Sequence, residues 1–269
     1  MTVTPDPLWQ TIRDEVRRES QREPMLASFF HAVVLKHETL EAALSFHLAS
    51  KLSSETLPSM LVREVIEEAL TDDAGIREAV RADVVAVRDR DPATDDLFAP
   101  LLYYKGLHAL QSQRVANWLW KRNRKPLALY LQNRMSETFA VDIHPAACIG
   151  KGILIDHGTS VVIGETAVVE DNVSMLHEVT LGGTGKEHGD RHPKVRQGVL
   201  IGTGAKILGN VEIGTGAKIG AGSVVLDDVP PHTTVAGVPA EVVGRTGVAE
   251  PALTMDHNLP AAHAEGSGI

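Results

Sequence analysis

Between Ile143 and Ala240 aliphatic residues return at every sixth position: Ile143, Ile149 and Ile155, then Ile163, Val169, Met175 and Leu181, and after a gap Ile201, Ile207, Ile213, Ile219 and Val225. A glycine or small polar residue usually stands beside them, and IGKGIL, IGTGAKIL and IGTGAKIGAGSVVL repeat one template. A helix needs apolar residues three and four apart and a strand alternates by two, so a period of six fits neither over this length. It fits a hexapeptide parallel β-helix, a solenoid of short strands and tight corners. Each strand turns one aliphatic side chain inward, the small residues Ala205, Ala217 and Ser223 fit where the coil bends, and glycine relieves the corner. One coil cannot bury its own face, so stability has to come from stacking coils about 4.8 Å apart.

Upstream, from about Thr11 to Ala140, the pattern is helical. Val62, Val65, Ile66 and Ala69 recur at spacings of three and four behind Pro58, which suits a first turn. Asp72 and Asp73 can cap a following helix on which Ile76, Val80, Val84 and Val87 share a face. Leu101 to Lys121 and Leu127 to Phe139 read as further helices. The spacing therefore predicts an α+β chain in three parts: a helical domain over 1–140, a β-helix over 141–244 with a protruding loop at 183–198, and a flexible tail over 245–269 that has no period and is rich in Gly, Pro and Ala.

The β-helix frame departs from period six twice, and insertions in a solenoid lie on its surface, where they are free to carry function. Ile155 to Ile163 is two residues too long, around DHGTSV. After Leu181 the polar stretch GGTGKEHGDRHPKVRQG intervenes before Ile201, and a loop of that length without structure of its own is more often functional than idle. Each insertion holds a histidine, His157 beside Asp156 and His192 within GDRHPK. Histidine suits proton transfer near neutral pH, and neither position needs it for packing. Taken singly, each also reads as a solvated surface imidazole. Asp142 lies 15 residues before His157, which the 18-residue coil places about one corner away on a neighbouring coil. A carboxylate bonded to one imidazole nitrogen fixes the tautomer and favours proton uptake at the other.

A zinc site is the competing use of His144, His157, His177 and His192, but they contain no close-spaced ligand pair, and no metal is expected. Cys148 falls where a hexad faces outward with no histidine fixed beside it, so its expected role is structural rather than nucleophilic. GGTGK lacks the spacing and the strand-to-helix setting of a phosphate loop. Asp91, in the charged loop RDRDPATDD, reads by itself as a turn residue before proline.

Composition narrows the classes of function. A formal net charge of −9 argues against nucleic acid, whose phosphates call for a basic face. A single cysteine excludes an intramolecular disulfide and suits a reducing compartment. The N-terminus lacks a basic segment followed by an apolar run, and no stretch of about 20 apolar residues occurs, so no membrane association is expected and the cytoplasm is the expected location.

Several stretches together carry a resemblance: EPMLASFFHAVVLKHETL, KLSSETLP, RDPA, PLLYYKGLHALQ, VDIHPAA, VSMLHEVTLGGTGK, GDRHPK, GAKILGN and PPHTTVAGVPA. Through them the chain resembles the bacterial serine O-acetyltransferase family along nearly all its length. The hexad repeat alone would allow any acyltransferase of the hexapeptide class; the helical domain joined to VDIHPAA and GDRHPK narrows it. The resemblance implies a left-handed β-helix and transfer of an acetyl group from acetyl-CoA, as co-substrate, to the hydroxyl of L-serine. It implies His157 as general base, Asp142 as the carboxylate that orients it and His192 as a further catalytic group. Asp91, Asp156, Arg191 and His192 match the positions that hold serine, and Gly183, Thr184, Thr203, Lys218 and Ala221 those along which acetyl-CoA lies. It further implies active sites between neighbouring subunits of a trimer or dimer of trimers, and feedback inhibition by L-cysteine. The ending GSGI matches a terminus whose isoleucine, here Ile269, inserts into O-acetylserine sulfhydrylase, a form of terminal-carboxylate capture.

Overall fold

A computed structural model describes residues 6–185 and 188–259. The helical part comprises α1 (Pro7–Arg22), α2 (Ala27–Phe30), α3 (Leu40–Leu52), α4 (Ser59–Asp72), α5 (Ala74–Arg90), α6 (Phe98–Tyr103), α7 (Lys105–Lys121) and α8 (Lys125–Phe139). The predicted cap is present: the Asp73 carboxylate accepts from the amides of Gly75 and Ile76 at the start of α5. The segment expected as one helix from Leu101 to Lys121 breaks at Tyr104, whose backbone is extended. That break gives α7 its own N-terminus, directed at the β-helix.

Three parallel sheets form the faces of the solenoid. Sheet A contains β1 (Val141–Ile143), β4 (Val161–Ile163), β7 (Thr180–Gly182), β10 (Lys206–Leu208) and β13 (Val224–Val225). Sheet B contains β2 (Cys148–Ile149), β5 (Val168–Val169), β8 (Lys194–Val195) and β11 (Glu212–Ile213). Sheet C contains β3 (Leu154–Ile155), β6 (Ser174–Met175), β9 (Leu200–Ile201), β12 (Lys218–Ile219), β14 (Thr233–Gly237) and the antiparallel β15 (Ala240–Arg245). Ile143, Ile163, Leu181 and Ile207 stack in register inside sheet A, essentially without solvent exposure. Burial of each such side chain is worth about 2 kcal/mol. Ala205, Ala217 and Ser223 are fully buried at the bends, as the repeat required.

Two boundaries differ from the expectation. The protruding loop closes earlier than residue 198, because Lys194 and Val195 pair with both β5 and β11 and Val195 is fully buried. A single aliphatic residue amid PKVRQG was too weak a signal for a hexad. The chain beyond 244 is not free along its first part. Pro251–Thr254 form a short helix, α9, with Pro251 and Ala252 buried, and the Ser174 hydroxyl donates to the Ala252 carbonyl at 2.9 Å. This segment lies over sheet C as far as Leu259; the tail's end, with Ile269, lies outside the described residues.

The helical part is fastened to the first coil by a buried ion pair. Asp83 on α5, with no solvent exposure, accepts from Arg114 and Gln111 on α7 and from the amide of Ile153 in the solenoid. Every carboxylate oxygen is engaged, as a buried charge requires.

Candidate active site

The sequence-predicted residues divide between the two edges of sheet A. One edge is the corner leading from sheet C into sheet A. Here the two-residue insertion projects His157, largely exposed, with a backbone φ of +56° in the left-handed region, followed by Gly158 at +73°. The strain of such a φ at a non-glycine residue is sustained only where the surroundings fix it. His157 Nε2 is 3.8 Å from the Asp156 carboxylate, and its ring meets that of His177, one coil further on, edge to face with centroids 5.7 Å apart. Thr203, on the next coil again, places its hydroxyl 2.8 Å from His177 Nε2. Ala221 ends this column; its backbone packs so closely on Gly202 that a Cβ there would lie 2.7 Å from the Ala221 nitrogen.

Beside this edge, between α5 and sheet C, opens a cleft of about 470 Å³ lined by Asp91, Asp156, Leu176, Met255 and His257. Asp91 and Asp156 thus face one space although they come from different parts of the chain. Asp91 also accepts from the Ala93 amide at 2.8 Å, the turn role that its place before proline predicted. Partial desolvation, and then the charge of Lys218, hold the His257 imidazole below its ordinary pKa.

The other edge is the corner from sheet A into sheet B. His192 is buried there, and its Nδ1 accepts from the Thr166 amide at 3.2 Å and lies 2.8 Å from the Thr166 hydroxyl. That hydroxyl accepts from the amides of Arg191 and His192, so its own proton is available for Nδ1. Nδ1 is therefore the acceptor and Nε2 carries the ring proton. Burial and then the Arg191 charge hold the His192 pKa below its usual value, favouring the neutral ring. Nε2 faces Gly164 and Gly183; a Cβ at Gly164 would stand 2.0 Å from it. Arg191 pairs with Glu165 at 2.6 Å, which holds that carboxyl below the usual range. Thr184 follows Gly183, and its methyl approaches Gly209 on the next coil.

Asp142 is placed differently from the expectation in its relation to the coils. Sheet pairing aligns Val141 with Val161, so the first coil is 20 residues long and Asp142 and His157 share it instead of lying on neighbouring coils. Asp142 Oδ1 accepts from Gln132 of α8 at 2.7 Å, and no hydrogen bond joins Asp142 to His157 among the described residues. Lys218 sits on sheet C, in the strand that leads into the corner of Ala221, and donates to the Asn258 carbonyl of the C-terminal segment. Among the described residues no group of three or more metal-ligating side chains converges, and no helix is long and apolar enough to cross a membrane. Cys148 is free and exposed, as its hexad position predicted.

Residues 8–112 match the family model described as serine acetyltransferase, N-terminal, and residues 192–227 match bacterial transferase hexapeptide (six repeats). A curated serine acetyltransferase of Salmonella typhimurium is 57% identical over 256 residues, covering 95% of this chain and 94% of the relative. The fold superposes on a solved serine acetyltransferase in complex with cysteine at a TM-score of 0.92 and 56% identity, covering 94% of this chain and 98% of that one. It superposes on the Brucella abortus serine acetyltransferase in complex with coenzyme A at 0.89 and 51%, covering 90% and 97%. With this identity over nearly the full length of both chains, the protein belongs to the serine acetyltransferase family.

Proposed function

We propose that the reaction of this family, acetyl transfer from acetyl-CoA to the hydroxyl of L-serine to give O-acetyl-L-serine and CoA in cysteine biosynthesis, is performed here by a site that two copies of the chain share. The observation that carries this reading is the division of the site residues between opposite edges of sheet A. His157, Asp156 and the cleft at Asp91 occupy one edge; Arg191, His192 and Gly183 occupy the other. When sheet A of one copy faces that of the next about a threefold axis, one edge of each meets the other edge of its neighbour. This reading takes the assembly to be a trimer, or a dimer of trimers joined through the helical domains.

In the shared site Asp91 and Asp156 hold the ammonium group of serine, and Arg191 with the Nε2–H of His192 holds its carboxylate. His157 takes the proton of the serine hydroxyl, and the oxygen attacks the thioester carbonyl. The carbon–sulfur bond breaks, and the thiolate leaves with the proton returned by the imidazolium. Asp142 has Oδ2 free of Gln132, and orients the His157 ring once that ring turns towards it from Asp156. Acetyl-CoA lies along the column of His177, Thr203 and Ala221 on one copy, against Gly183 and Thr184 of the other. A relative solved with coenzyme A supports that co-substrate, and one solved with cysteine supports feedback inhibition by L-cysteine. The terminal Ile269 serves a separate role, docking on O-acetylserine sulfhydrylase in the cytoplasm.

The test is release of thiol from acetyl-CoA with and without L-serine. Release that requires serine, and is not matched by homoserine or a sugar hydroxyl, is the expected result; equal release with any acceptor contradicts the assignment.

A further inference from the structure

The corner that bears His157 is longer by two residues than the other corners from sheet C into sheet A. An eight-residue step from Ile155 to Ile163 has slack that a six-residue step lacks, yet His157 and Gly158 hold consecutive left-handed conformations there. Within the coil the Gly158 amide donates to the Asp156 carbonyl at 2.6 Å and the Val161 amide to the Gly158 carbonyl at 3.1 Å, and a further contact comes from outside it.

The first turn of α7 lies directly against this corner. A Cβ built on Gly106 would stand 2.0 Å from the carbonyl oxygen of Ile155, two residues before His157, and 3.1 Å from its carbonyl carbon. Only glycine permits this approach. From the other side, a Cβ on Gly158 would lie 3.2 Å from the Gly106 Cα and 3.2 Å from a methyl of Val141. Gly158 is thereby wedged between helix and sheet. One residue from each glycine, Lys105 Nζ donates to the Thr159 hydroxyl at 2.6 Å. Ser160 closes the corner by donating its amide to the Ala140 carbonyl at 2.7 Å. The insertion is clamped on both flanks of His157, while the imidazole itself stays exposed.

We propose that the first turn of α7 is the brace that sets the position of the His157 imidazole, with Gly106, Lys105 and Thr159 as positioning residues for catalysis. None of the three touches the reacting atoms. The proposal rests on the reading of His157 as general base. It adds that the helical domain contributes to the chemical step as well as to assembly, through a helix start that the break at Tyr104 makes possible.

The experiment measures serine-dependent thiol release by the intact full-length oligomer, separating kcat from KM for acetyl-CoA. In Gly106→Ala the Ile155 carbonyl must move by about an ångström, and a misplacement of that size costs roughly 10²-fold in kcat. Thr159→Val keeps the side chain's shape and removes the hydroxyl; kcat falls roughly fivefold, the worth of one ordinary hydrogen bond, with KM for acetyl-CoA unchanged. Thr159→Ser restores wild-type kcat, and Lys105→Met combined with Thr159→Val falls no further than either alone. A purely structural contact would instead lower the melting temperature and leave the kcat of the folded enzyme intact. Should Gly106→Ala fail to assemble, the Thr159 and Lys105 variants decide alone. If His157→Ala retains wild-type turnover, the general-base reading fails and the brace with it. If His157→Ala is inactive while the Thr159 and Lys105 variants keep wild-type kcat, the brace alone is overturned.

Discussion

The Thr166 hydroxyl lies 2.8 Å from Nδ1 of His192, and the Thr166 amide donates to that same nitrogen at 3.2 Å. One residue thus fixes both the tautomer and the tilt of a buried imidazole. It leaves Nε2–H as the only donor the ring can offer.

The first prediction concerns this pair. Thr166→Val removes the hydroxyl and leaves Nδ1 with the amide alone, so capture of the serine carboxylate weakens. We expect KM for serine to rise about tenfold, the loss of one charge-assisted bond, with KM for acetyl-CoA little changed. Protonation of His192 would place a proton on Nδ1 against the Thr166 amide. The depressed pKa of the ring means that serine affinity persists below the ordinary histidine range and is lost only as pH falls further. Steady-state kinetics against pH check both statements.

General-base catalysis contributes about 10² to 10⁴-fold. His157→Ala should therefore lose turnover by that factor while the oligomer still forms, since the side chain is largely exposed and gives up only an edge-to-face contact with His177. Size-exclusion chromatography together with the thiol assay reads both quantities.

A third prediction arises in the helical domain. His47 and His108 face each other edge to face at 5.0 Å, each with Nε2 donating to a carbonyl, of Leu102 and Leu101 respectively. Burial, with Lys51 nearby, lowers His47 to about 4, and burial with His47 nearby lowers His108 to about 3, from an ordinary 6.5. A depressed folded-state pKa means that the unfolded chain binds protons first. The stabilisation is complete above pH 6.5 and is lost as pH falls from there towards about 4 for His47 and about 3 for His108. His108→Gln keeps a donor for Leu101 and removes one titration. Its melting temperature should decline less steeply over that window than that of the wild type.

Deleting residues 266–269 should abolish complex formation with the sulfhydrylase and leave acetyl transfer intact. The cleft is closed by Met255 and His257, well before the deleted residues. Pull-down and thiol assay on the same preparation separate the two effects, and loss of both would contradict an independent role for the terminus.

Much of this architecture was legible from spacing, because Ile143, Ile163 and Ile207 each stand alone at a period that only a solenoid uses. His157 and His192 stood out for the same reason: they sit where the period breaks. Val195 did not, since one aliphatic residue between lysine and arginine carries no periodicity of its own. Thr166 and Gln132 were invisible, because each acts on a residue brought near only by coiling or by a helix folded back. The docking of Ala252 under Ser174 was also hidden. A short helix over a sheet needs only one or two small apolar residues, and the composition around it reads as a free tail. Gly106 gave no signal within its helix, where glycine is merely unfavourable until the Ile155 carbonyl is seen against it.

The central claim is that one edge of sheet A in one copy works with the opposite edge in its neighbour, and mixed oligomers test it most directly. His157→Ala and His192→Ala chains, each inactive alone, are unfolded together, refolded in equal amounts and assayed for serine-dependent thiol release. The account predicts recovery to about one quarter of wild-type activity, because a random mixture joins an intact His157 edge to an intact His192 edge at one junction in four. Activity no higher than that of the two parents would place both histidines in a site within one chain and contradict it.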